Sequence, residues 1–285
     1  MNYKAIWPLL RQTISAWNDH EAPRLGAAIA FYTILSLAPL VILVIAIAAF
    51  VFGHSAAQNQ LLGQVESMVG RQGSEAVKGM IEQAQKPVSG AFASIIGVIT
   101  LLFGASGVFG ELRSALNKIS NVKPTSEGGV WGIIKERFFS FGMVLAVGFL
   151  LLVSLMISAA LAAVGKFFGG FLPMPESVLT AINFVLSLAG ATVVFALIFR
   201  YVPDTKIAWK DIWIGATVTA LLFTLGKFLI GLYLGKAAVG SAYGAAGSLI
   251  VVLVWVYYSA MIFLFGAEFT RVLDSGNHGQ NAQTR

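Results

Sequence analysis

Long uncharged apolar stretches alternate with short charged segments along this chain. The last of them sets the pattern: SAYGAAGSLIVVLVWVYYSAMIFLFGAEFTR runs from Ser241 to Arg271, with no charge between Ala245 and Ala267. At 1.5 Å per residue those 23 positions make a helix of about 35 Å, enough to cross a hydrocarbon core of about 30 Å. A soluble helix would keep a polar stripe; this one has none. Its acid, Glu268, shares a face with Leu264, Met261, Tyr257 and Val254, so one side offers a carboxylate near its end and a phenol some turns away.

The same criterion predicts six spans, at about 25–53, 91–112, 138–164, 178–199, 212–235 and 245–271, and an all-α polytopic membrane protein. In the first span Pro39 removes a backbone bond and predicts a kink, which is either a hinge or a static bend; Tyr32 and Thr33 lie in the same half-span. In the second, Ala93, Gly97, Thr100, Gly104, Gly107 and Glu111 share one face, a small-residue seam that admits another helix closely but does not explain the acid. The fourth places Asn183, Ser187 and Gly190 on one face. The fifth carries Lys227 and a G-x-x-x-G at Gly231 and Gly235.

The remaining segments are amphipathic or polar. Residues 1–24 form a short helix with Ile6, Leu9, Leu10, Ile14 and Trp17 at helical spacing. It lies either in the headgroup plane or packed under the bundle. His54 to Gly90 carries two amphipathic pieces separated by Gly70 and Gly73, which predicts an outer helical hairpin between spans 1 and 2. The chain after Leu273 is polar, so 274–285 is expected to be a disordered tail.

Composition agrees. The 285 residues are 57% hydrophobic and 11% charged, with mean hydropathy +0.80, against about 25% charged residues in globular domains. The net charge of +6 is explained by basic loops rather than by nucleic acid, which is not expected as a partner. Thirteen of the nineteen Lys and Arg fall in the N-terminal segment, the loops after spans two and four, and the tail. That bias predicts both termini in the cytoplasm. The first 26 residues are too polar for the apolar part of a signal peptide. With no cysteine, thiolate chemistry and disulfides are excluded. Asp19, His20 and Glu21 are consecutive and do not share a helical face, so no metal site is expected there.

AAIAFYTILSLAPL (27–40), FGELRSALNKISNV (109–122), FRYVPDTKIAWKDIWIGA (199–216) and the stretch 241–271 together resemble the YihY/BrkB family of bacterial inner-membrane proteins, formerly labelled ribonuclease BN. With the six-span layout, the resemblance covers nearly the whole chain. One departure is Ser120, where the family pattern leads us to expect Trp. The resemblance implies a six-helix inner-membrane protein with cytoplasmic termini and no settled activity. Members have been associated with virulence and with export of lipid-like molecules, and the ribonuclease label is widely regarded as a misassignment.

Ionisable groups in or beside spans are costly and tend to mark pathways. The candidates are Glu111, Lys227 and Glu268 with Arg113, Arg200 and Arg271. The leading reading is transport or flipping of an amphiphilic, anionic, lipid-like substrate. Its cavity would be lined by the Glu111 and Glu268 faces with Tyr32, Asn183 and Tyr257, Arg113, Arg200 and Lys227 would hold the headgroup, and Pro39 would be the hinge. The alternatives are a membrane scaffold or lipid-binding protein whose charges are structural pairs, and a nuclease. For the nuclease, His20, His54 and His278 lie in separate segments and no paired-acid motif is present. No enzyme activity, cofactor or metal is expected, and the sequence leaves the oligomeric state open.

Overall fold

The computed structural model describes residues 3–84, 107–122, 142, 176–236 and 247–283, and among these it is helical with no strand. The expected third span (138–164), most of the second and the end of the expected hairpin lie outside the described residues. Seven helices are described: α1 (Tyr3–Asp19), α2 (Ala22–Phe52), α3 (His54–Ala84), α4 (107–119), α5 (Glu176–Tyr201), α6 (Trp209–Lys236) and α7 (Gly247–Gln283). Three helices are long and apolar enough to cross a membrane, with windows at Phe184–Tyr201, Trp209–Tyr233 and Gly247–Asn277. Helix α2 makes a fourth if its two halves count together. It bends by 54° between Ala22–Leu37 and Leu40–Ala46, where Pro39 has no N–H to give the Leu35 carbonyl.

Helix α7 is the spine. One cluster joins it to four other helices: Ala22, Leu25 and Ile29 of α2, Leu116 and Ile119 of α4, Phe199 of α5 and Ile212 of α6 are buried together with Phe263, Leu264 and Ala267. Aromatic rings extend this core along the bundle. Phe199 and Phe263 centroids lie 5.3 Å apart, Phe195 and Phe223 5.6 Å, and Phe223 and Trp255 6.3 Å, distances at which ring pairs attract beyond their buried area.

The tightest seam is between α6 and α7. Gly215 and Thr219 on α6 meet Gly266 and Thr270 on α7 in a reciprocal arrangement. Each threonine hydroxyl donates to the carbonyl four residues back in its own helix, Thr219 to Gly215 at 2.6 Å and Thr270 to Gly266 at 2.7 Å. Each threonine side chain then fills the space above the other helix's glycine. A Cβ on Gly215 would sit 1.8 Å from Thr270 Oγ1, and one on Gly266 1.9 Å from Thr219 Oγ1. No hydroxyl is left unpaired in an apolar seam. Gly231, of the G-x-x-x-G, is exposed, and a Cβ there meets no described atom within 4 Å; the seam runs through Gly-x-x-x-Thr pairs instead.

Gly53 closes α2 with φ 78°, and Gly70 interrupts α3 with φ 80°, conformations that glycine takes without steric cost. The two arms of α3 come together, Ser74 Oγ donating to the Leu62 carbonyl at 3.1 Å. Ala57 from one arm and Val77 and Ile81 from the other are buried against Val41, Ile45 and Ala48 of α2.

The end of the chain departs from the sequence expectation of a disordered tail. Helix α7 continues to Gln283, and the turns just past the expected end of the span have partners. Asp274 Oδ1 accepts from the Ala208 amide at 3.2 Å, and Asn277 Nδ2 donates to Asp211 Oδ1 at 2.7 Å. Asp211 is buried in the first turn of α6, where a carboxylate is favoured by the helix N-terminus.

Gly215→Ala should lower stability by about 1–3 kcal/mol, the usual cost of overpacking, read as a shift in the detergent unfolding midpoint. Adding Thr270→Gly should recover part of it, and Gly231→Ala should cost nothing. Equal midpoints for Gly215→Ala and wild type would show that the seam is loose.

Candidate functional site

The charged residues gather where α1 meets the later turns of α7. At their centre is Glu268, with no exposed surface. Its Oε1 lies 2.5 Å from His20 Nδ1 in the turn between α1 and α2, and its Oε2 accepts from Arg271 Nε at 3.1 Å. His20 Nε2 faces Asn121 Oδ1, 3.4 Å away, at the end of α4. One carboxylate therefore ties together α1, α4 and α7. A buried carboxylate is tolerable only when both oxygens are engaged in this way.

The turn around it has a specific backbone. Glu21 (φ 56°) and Asn121 (φ 54°) are left-handed, which is ordinary for Asn and costly for Glu. The Glu21 carboxylate is held from two sides, by Lys118 Nζ at 3.0 Å and Arg24 Nη2 at 2.9 Å. The Lys118 hydrogen bond, with the charges of Arg24 and Lys118, lowers its pKa below the ordinary carboxylate value.

A second network holds the α5–α6 turn. Arg113 takes Asp204 in a two-pronged pair, Nη2 to Oδ1 at 2.6 Å and Nε to Oδ2 at 3.2 Å. Asn117 Nδ2 donates to Asp204 Oδ2 at 2.7 Å, and the Asp204 amide donates back to Asn117 Oδ1 at 2.8 Å. Arg200 donates to the Ile207 carbonyl at 2.7 Å, and its guanidinium lies 5.4 Å from the Trp209 ring centroid, a cation–π distance.

These placements rearrange the expected cavity. Glu268, Arg113 and Arg200 are all occupied by protein partners. Lys227 sits 18 residues beyond Trp209 on α6, about 27 Å along the axis, while Arg200 packs on Trp209 itself. Arg200, at the end of α5, and Lys227, in the second half of α6, therefore lie at different depths rather than side by side, as one headgroup held by both would require. Lys227 is exposed, and no ion partner for it is found among the described residues. Glu111 is half-buried and Tyr32 exposed. A Cβ on Gly107 would touch Ser36 and Tyr32, and one on Gly26 would touch Met261 and Tyr257, so Tyr32 and Tyr257 both line α2 contacts. For Asn183 the structure describes the backbone, within α5. A small recess at this end is lined by Leu116, Ile119, Phe199, Pro203, Ile207 and Thr270.

Sequence reasoning missed His20 as the partner of Glu268, 248 positions away, and Asp204 as the partner of Arg113. Only the isolation of an acid inside an apolar span signalled that Glu268 needed something.

Comparison with known proteins is consistent with this architecture. A family model described as "Virulence factor BrkB" matches residues 13–285. A UPF0761 membrane protein of Verminephrobacter eiseniae is 30% identical over 94% of this chain and 63% of its own length. A putative ribonuclease-like protein, YfkH, of Bacillus subtilis is 24% identical over 93% of this chain and 94% of its own. A UPF0761 membrane protein of Mannheimia succiniciproducens is 27% identical over 90% and 86%. The chain thus spans somewhat under two thirds of the first relative and nearly all of the second. No solved structure matches.

Removing the Glu268 carboxylate leaves half-buried Arg271 and His20 without their partner, so Glu268→Ala should destabilise by about 1–3 kcal/mol. For Glu21, whose folded pKa is lowered, the stabilisation exists above the usual carboxylate pKa and disappears as pH falls through the lowered one. The stability difference between wild type and Lys118→Met should accordingly shrink to nothing on acidification below that range. A difference that persists there would assign the effect of Lys118 to packing.

Proposed function

The chain belongs to the Virulence factor BrkB family, and from that premise we propose that it is an inner-membrane protein that moves an amphiphilic, anionic, lipid-like substrate between leaflets along the outside of its helices. Both termini face the cytoplasm in this reading, in keeping with the Lys and Arg bias of the segments on that side.

The observation that carries the reading is Lys227. An ammonium in a spanning helix is costly, and Lys227 is exposed with no ion partner among the described residues. Its place about 27 Å from the start of α6, in a helix whose apolar window runs on to Tyr233, sets it in the second half of the span, from which its long stem would reach toward one leaflet's headgroups. The group that would pair with it there is an anionic headgroup whose tails lie along the exposed apolar residues of α6, among them Leu225, Phe228 and Leu229. Half-buried Glu111 and the bend at Pro39 are the further elements this function would use.

A second reading, a membrane scaffold or lipid-binding protein without turnover, is favoured by the α1 end. There Glu268 is sealed, the arginines are paired and the Phe195, Phe199 and Phe263 rings fill the core. A nuclease, as the name of the Bacillus relative suggests for that protein, is not the function proposed: metal-assisted hydrolysis needs clustered acids or histidines, and the sequence spreads its three histidines over separate segments with no paired-acid motif.

The test is lipid movement in proteoliposomes, using phosphatidylglycerol with a fluorophore on its acyl chain and dithionite added outside. Wild type should expose the inner-leaflet probe to bleaching. Lys227→Met should slow it about tenfold, the equivalent of losing one charge-assisted contact of roughly 1.5 kcal/mol. Phosphatidylcholine movement should be unaffected by the substitution. Wild-type vesicles that bleach no further than empty ones would remove the transport reading and leave the scaffold. Unchanged rates in Lys227→Met would remove Lys227 from the path.

A further inference from the structure

We infer that α1 is a surface anchor seated in the headgroup layer of the anionic leaflet on its own side of the membrane, with Trp7 and Ile14 as the inserted side chains and Arg11 as the phosphate contact. This rests on how the structure divides the circumference of the helix. Thr13, Ala16 and His20, spaced three and four apart, form one stripe. Thr13 and Ala16 are buried, and His20 reaches Glu268 of α7. This stripe faces protein. Gln12, Ser15 and Asp19, at the same spacing, form a second stripe, and all three are exposed and polar.

The third stripe is Trp7, Leu10, Ile14 and Trp17. Leu10 and Trp17 are half-buried against the bundle, but Trp7 is 74% exposed and Ile14 52%. A helix packed only against protein has no use for the apolar surface that continues past its packing face. A helix lying where protein, lipid and water meet needs three such sectors. Arg11 and Asn18, seven residues apart and both exposed, fall on the border between the apolar and polar stripes, where a long cationic side chain reaches headgroup phosphate while its stem stays in apolar surroundings.

The level of this end is marked independently. Tyr201 and Trp209 pack edge to face at 6.4 Å and are both exposed, as is Trp213. Aromatics of this kind form a belt at the membrane boundary. Lys206 and Lys210 beside them are also exposed. The Asp274–Ala208 bond places this belt level with Asp274 of α7, and the His20–Glu268 contact ties the end of α1 to α7 six residues earlier, about 9 Å along the axis. The cations supply charge complementary to an anionic leaflet, worth about 1 kcal/mol for each one near the surface. The partner is therefore the bilayer.

Because the chain has no cysteine, single cysteines can be placed and spin-labelled in the full-length protein. Trp7→Cys, Ile14→Cys, Gln12→Cys and Ser15→Cys, in nanodiscs of phosphatidylethanolamine and phosphatidylglycerol, would be compared for collision with oxygen and with a water-soluble nickel chelate. All four sites are exposed, and unfolding midpoints would be checked against the parent. Labels at 7 and 14 should show a several-fold higher oxygen-to-nickel ratio than labels at 12 and 15. In phosphatidylcholine discs, or with Arg11→Gln added, the ratio at 14 should fall. Equal, water-like ratios at all four sites would overturn the anchor. So would labels at 7 and 14 that are immobilised and reach neither reagent, since that is the signature of a covering protein.

Discussion

One carboxylate sets the terms for the α1 end of the molecule. Glu268 is fully buried on a helix that carries no charge for nearly six turns before it, and a charge there is stable only if the protein brings polar groups to it. The chain does so from three directions: His20 from the α1–α2 turn, Arg271 from α7 itself, and Asn121 through the far side of the His20 ring. The unusual backbone at Glu21 follows from this demand. To deliver His20 to α7 and still launch α2 in a new direction, the chain must pass through the left-handed region immediately afterwards, and the pairing of Glu21 with Lys118 and Arg24 helps to hold it there.

Elsewhere the bundle uses a different device. Between helices in lipid the hydrophobic effect does not favour association, so contact has to come from close packing. The Gly215–Thr219 and Gly266–Thr270 pairs achieve it by placing a small residue opposite a medium one twice over, with each hydroxyl turned inward to its own backbone. The seam is thus polar in composition but presents no unpaired donor. The phenylalanine cluster continues the contact where side chains are larger and helices stand further apart.

Much of the architecture could be read from the residues because apolar length and charge spacing are local properties. The expected spans at 178–199 and 212–235 fall within α5 and α6, the last expected span coincides with α7 from Gly247 onward, and the bend in α2 falls at its proline. The pairings could not be read. Nothing local distinguishes Arg113, which serves Asp204, from Lys227, which has no ion partner among the described residues; the difference depends on which loop folds back to which helix. The tail was misjudged for the same reason. Residues 274–283 are polar, and polar composition suggests disorder, but Asp274 and Asn277 meet an amide and a carboxylate held ready by the α5–α6 turn. The headgroup site expected from Arg200 and Lys227 together failed on distance alone, since a residue count along α6 sets them at different depths.

The length of α7 makes it a lever. Its 37 residues span about 55 Å, far more than the membrane, and the excess is a rigid arm projecting from one side. The arm is tied at Glu268 to α1 and, further out, at Asp274 and Asn277 to the start of α6. Any tilt of α7 within the bilayer is therefore delivered, amplified by the arm, to two surface elements at once. Motion between the helices and motion at the membrane surface become one degree of freedom.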